Sequence, residues 1–103
     1  MNKIKLNNTE FEIENYNKNT YFNDGNITSN ANCTIIVSDM ATLNALASDP
    51  ITSIQIYHDD NLIYNLANID AEIENITEWL NFDKMSIGIN IKFNTWQITQ
   101  ITL

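Results

Sequence analysis

Residues 51–66 read ITSIQIYHDDNLIYNL and residues 85–93 read MSIGINIKF, and these two stretches decide the fold. In the first, two runs rich in β-branched and aromatic residues flank the polar trio Asp59-Asp60-Asn61. Taken as a three-residue hairpin loop, the trio sets His58 opposite Leu62, Ile56 opposite Tyr64 and Ile54 opposite Leu66. Opposed residues of an antiparallel pair share a face, so this register gathers the large apolar groups on one side. The other side receives Tyr57 opposite Ile63 and Gln55 opposite Asn65, a mixed surface. Asn61 is expected to take the left-handed conformation such loops need. In the second stretch Met85, Ile87, Ile89, Ile91 and Phe93 alternate with Ser86, Gly88, Asn90 and Lys92. That period of two is the mark of a half-buried strand.

Between them, Ile69 to Leu80 admits two readings. Ile69, Ala71 and Ile73 alternate as in a strand and pair on paper with Phe93, Ile91 and Ile89. Yet Ile69, Ile73, Ile76 and Leu80 also sit at helical spacing, with Glu72, Glu74 and Glu78 off that stripe. A strand with a bulge near Asn75 is favoured, because a long hairpin with residues 85–93 satisfies its backbone. A second helix over residues 70–80, giving an α+β fold, is the alternative.

Working toward the N-terminus, Lys3 to Leu6 and Glu10 to Tyr16 are predicted strands joined at Asn7-Asn8-Thr9. Phe11 and Ile13 face one way, and Glu10, Glu12 and Glu14 the other. Thr20 to Phe22 is a further short strand, and Asn23-Asp24-Gly25-Asn26 is a hairpin turn, since Asp-Gly accepts positive φ. Ile27 to Val37 returns and ends in the β-branched run Thr34-Ile35-Ile36-Val37, expected to be covered on both faces. A short helix over about residues 39–47 follows, with Ser38 as its cap and Asp39 at the positive end of its dipole. Met40, Leu43 and Ala47 form its apolar stripe with Leu46 beside it, and Pro50 closes the segment. Asn94 to Leu103, carrying Trp96, Ile98, Ile101 and Leu103, is a final strand or an arm that docks on a neighbouring subunit. The expected architecture is thus a single mainly-β domain over residues 1–103, an antiparallel sandwich or barrel-like sheet with one short helix.

Composition narrows the function. The chain has 103 residues, five lysines, no arginine and a net charge of -8. Phosphate neutralisation supplies most nucleic-acid affinity, so direct binding to DNA or RNA is not expected. No apolar run is long enough to cross a membrane as a helix, and MNKIKLNN lacks the apolar centre of a secretory signal. A cytoplasmic site of synthesis is expected. Sequons at Asn7, Asn26, Asn32 and Asn75 then follow from an Asn- and Thr-rich composition.

Candidate chemistry is sparse. Cys33 stands alone in CTIIV and reads as a buried, inert thiol. His58 is the single histidine, and no serine has a spacing that makes it a nucleophile. No cofactor, metal set or catalytic residue is expected. The Asp59-Asp60-Asn61 tip offers oxygen ligands to a hard cation but lacks a distal Glu, which favours a solvated turn. The acidic row Glu10, Glu12, Glu14 repeats at about 6.6 Å, close to twice the roughly 3.4 Å rise of duplex DNA. It reads either as charge that protects an edge strand or as a phosphate mimic. Trp96, if exposed, is an interface anchor.

An Asn- and Ile-rich acidic chain of this length, with ITSIQIYHDDNLIYNL followed by MSIGINIKF, resembles the small virion proteins of tailed bacteriophages of AT-rich hosts. That resemblance implies a β-rich subunit that oligomerises and joins other virion proteins, made in the bacterial cytoplasm and carried in the virion. The expected function is a non-enzymatic assembly protein, tail- or capsid-associated. It would act through its β-edges and through an interface of Glu10, Glu12, Glu14, Trp96, Ile98, Ile101 and Leu103. The alternative is a small acidic inhibitor that captures a host nuclease or other DNA-binding protein by charge mimicry.

Overall fold

The computed structural model describes residues 1–37, 39–80 and 85–94. The described elements are β1 (Asn2–Leu6), β2 (Thr9–Asn23), β3 (Asn26–Ile36), α1 (Met40–Ala47), β4 (Ile51–His58), β5 (Asn61–Leu80) and β6 (Met85–Phe93). All strand pairs are antiparallel, in the order β1-β2-β3-β6-β5-β4, and β4 pairs back onto β1 to close a barrel. The chain is therefore two three-stranded meanders joined by α1. One seam joins β3 to β6, from Asn30 opposite Lys92 to Ile36 opposite Ser86. The other joins β1 to β4, with Ile4 opposite Ile56 and Leu6 opposite Ile54.

The alternating apolar residues fill the barrel. Ile4, Leu6, Ile35, Ile54, Ile87 and Ile91 are completely buried, and Phe11, Ile13, Ala31, Cys33, Leu66 and Ile89 join the same cluster. Full burial of each large aliphatic side chain is worth about 1.5–3 kcal/mol. Leu43 and Leu46 of α1 belong to this core, Met40 packs partly against it, and Ala47 is half-buried. An eight-residue helix is stable only because those two leucines are buried. Its N-cap is Asp39, whose carboxylate accepts from Ala41 N and Thr42 Oγ1, each at 3.0 Å. The expected cap Ser38 lies outside the described residues.

Residues 69–80 are strand, as the pairing argument favours, and the bulge falls at Glu74, between Ile73 opposite Ile91 and Asn75 opposite Asn90. Two registers differ from expectation. Ala71 rather than Ile69 faces Phe93, a shift of one pleat. The reason is that β5 spends its first half on β4 and crosses to β6 only at Ala71, which also faces Ile51. The β4–β5 turn holds two residues, not three, because Asp59 and Asp60 both take positive φ (47° and 71°), and Asn61 already pairs with His58. Tyr57 consequently faces Leu62, and Ile63 is the extra residue that restores Ile56 opposite Tyr64, Gln55 opposite Asn65 and Ile54 opposite Leu66.

β2 is one continuous strand of fifteen residues, not two. A bulge between Ile13 and Asn15 inverts its pleat, so that Phe11 and Ile13 are buried before it and Tyr16 packs inward after it. The Asp24-Gly25 turn forms with φ of 49° and 83°. Of the β2–β3 hairpin, residues 20–29 extend past the last β6 partner, Lys92 opposite Asn30.

Candidate functional site

The acidic row does not form as spaced. Glu10 and Glu12 sit opposite Lys5 and Lys3 of β1, and Lys3 Nζ lies 3.6 Å from Glu10 Oε1. Glu14 occupies the bulge, where its Oε1 accepts a 3.4 Å hydrogen bond from buried Ser86 Oγ. The first two acids lie in the sheet beside β1, so they guard no edge. Lysines share their surface and the bulge breaks their pitch. Trp96, Ile98, Ile101 and Leu103 lie outside the described residues.

The β4–β5 tip is solvated. The Met1 ammonium pairs with Asp59, whose carboxyl is held below its usual range by that hydrogen bond, by the ammonium charge and by His58. His58 Nδ1 lies 2.6 Å from Asn2 Oδ1. Among the described residues, no three His, Cys, Asp or Glu side chains converge on a metal-sized point. Cys33 is buried, and desolvation pushes its thiol up to about 12. Inside the barrel Tyr16 and Tyr64 join through their hydroxyls at 3.0 Å, with ring centroids 5.1 Å apart.

Two surfaces stand out that sequence patterning does not reveal. The first is the overhanging hairpin, where Tyr21 and Phe22 are 52% and 78% exposed. β2 pairs with β1 only through Glu12, so from Ile13 onward its second edge carries no described strand partner.

The second lies on the outside of the β2-β3-β6-β5 sheet. Register aligns Asn15, Thr34, Gly88 and Thr77 in one row across four strands, and Asn17, Asn32, Asn90 and Asn75 in the next. Between and beside these rows runs a groove of about 230 Å³ lined by Asn15, Asn32, Thr34, Asn75, Thr77, Trp79, Gly88 and Asn90, with Cys33 and Ile89. Trp79 is half exposed. Its six-membered ring rests where a side chain at position 88 would stand, since a Cβ on Gly88 would meet Cζ3 at 2.7 Å and Cη2 at 2.8 Å. Gly88 is thus a seat for the indole. Asn90 Oδ1 is buried without a hydrogen-bond partner. No described lining group is ionised at neutral pH, although the chain carries a net charge of -8. The separate turns of sequence that supply these residues carry no shared motif; only the register brings them together.

No protein-family model and no curated protein matches the chain.

Proposed function

We propose that the protein is a non-enzymatic assembly subunit that works through protein–protein contacts, first with copies of itself. Its finer placement, in keeping with the resemblance to small phage virion proteins, is a tail- or capsid-associated position among other virion proteins. The observation that carries this reading is the overhanging β2–β3 hairpin with its exposed Tyr21 and Phe22. Closing a barrel removes most of the backbone edges through which sheets add to one another. Here the β2–β3 hairpin reaches past the last β6 partner and holds two aromatic side chains in water. A second copy laid against the hairpin would cover both rings, and large aromatics dominate such contacts.

The test is absolute mass by light scattering after size exclusion, over a concentration series, for the wild type and for Phe22→Asp. Concentration-dependent growth of the wild type that the variant loses supports the proposal. A wild type that stays monomeric at every concentration, or a variant that assembles equally well, counts against it.

A further inference from the structure

Beyond self-association, we infer that the groove over Trp79 binds a neutral carbohydrate, taking one or two sugar units against the outer face of the β2-β3-β6-β5 sheet. The groove selects by three independent features. Its described lining holds no ionised group, so an anion or cation gains no partner there. Four amides (Asn15, Asn32, Asn75, Asn90) and two hydroxyls (Thr34, Thr77) surround it, and a purely apolar ligand would strip water from these dipoles without replacing it. Trp79 adds a broad apolar plate at one side, held against Gly88 with half its surface open.

A ligand that satisfies all three must be uncharged, dense in hydroxyls and yet apolar on one face. A pyranose ring has that form: its axial C–H groups make an apolar face, and its hydroxyls radiate from the edge. Each Asn amide supplies both a donor and an acceptor, which suits vicinal hydroxyls that do both as well. Neighbouring strands are about 4.8 Å apart and alternate residues about 6.6 Å apart, so the amides recur on the scale of one sugar unit. The groove is smaller than the roughly 300–1,000 Å³ of drug-sized sites. Affinity on the order of 1 mM is therefore expected for a disaccharide.

The experiment uses the full chain carrying Trp96→Phe, which leaves Trp79 as the sole indole. Maltose, cellobiose, N,N′-diacetylchitobiose and mannobiose are titrated while Trp79 emission is followed, with glucuronate as the charged control. Saturation-transfer NMR on the same sugars gives a readout that does not need the indole. At least one neutral disaccharide should shift the emission saturably, and Trp79→Ala should abolish saturation transfer. Asn75→Ala and Thr77→Ala, both at exposed positions, should each weaken binding about threefold to tenfold. Gly88→Ala, which displaces the ring, should weaken it more, provided circular dichroism shows the sheet intact. No saturable signal from any neutral sugar up to about 100 mM, undiminished transfer in Trp79→Ala, or preference for glucuronate would each overturn the inference.

Discussion

Cys33 lies at 2% exposure on β3, opposite Tyr16 of β2 on one side and Ile89 of β6 on the other. Desolvation of the thiolate raises its pKa to about 12, and burial with the Tyr64 hydroxyl contact raises that of Tyr16 as well. Both groups are neutral acids whose folded pKa exceeds the unfolded value. Their contribution is therefore complete below the unfolded pKa and is lost as pH climbs toward the folded one. Stability should hold to about pH 8.5 and then fall with each group adding up to about 1.4 kcal/mol per pH unit. Urea melts from pH 7 to 11 check this; a flat profile above pH 9 would contradict the burial argument. Tyr16→Phe should cost about 1 kcal/mol at pH 7 for the lost hydroxyl contact and should also flatten the alkaline slope. For the same reason the native thiol should not react with Ellman's reagent over minutes, while urea-unfolded protein reacts at once. Burial of Cys33 was legible from its run CTIIV alone, because four β-branched residues follow it.

Turns carry more of the fold than their length suggests. Asn7 takes positive φ (56°), its Oδ1 accepts from Thr52 N at 2.8 Å and Thr52 Oγ1 at 3.0 Å, and its Nδ2 donates to Pro50 O at 3.0 Å. One side chain thus ties the β1–β2 turn to the start of β4, next to the seam that closes the barrel. Asn7→Ala should destabilise by about 2–3 kcal/mol, from unpaired groups and left-handed strain together. Asn7→Gly should recover the strain part alone, and the difference between the two melts separates the contributions. Locally encoded elements were the legible ones: Asp24-Gly25 announces its turn, and alternation announces β6. The bulge near Asn75 was readable because Ile73 and Ile76 break step by one. By contrast, Asn17-Lys18-Asn19 hides the middle of β2, since three polar residues in a row show no apolar period. The two-residue turn at Asp59-Asp60 was missed because two consecutive aspartates at positive φ are uncommon, and the tip is solvated rather than packed.

At the scale of the whole molecule, the seam of β1 with β4 joins residues 48 to 56 positions apart, and nothing local in Ile4 or Ile56 marks it. The same holds for the groove, whose asparagines come from four strands and meet only through register. The proposed self-association is through the overhanging hairpin, where Tyr21 and Phe22 are exposed. Copies approaching through that surface carry a net charge of -8 each and repel at long range. The Debye length shrinks from about 30 Å at 0.01 M to about 3 Å at 1 M salt. Self-association through apolar and backbone contacts should therefore strengthen as salt rises, and light scattering at about 0.02 M and about 0.5 M sodium chloride reads this directly. Capture of a basic partner by the Glu10, Glu12 and Glu14 surface has the opposite sign, because screening weakens attraction between unlike charges. Mass that grows with salt supports assembly through the hairpin. If mass falls with salt, the association is electrostatic and the hairpin is not what joins the copies. A Phe22→Asp variant sharpens the distinction, for it adds one more negative charge at the contact while leaving the buried core untouched. Its salt-induced growth should be lost while its melting temperature stays within about 2 °C of the wild type, as expected for a side chain left mostly in water.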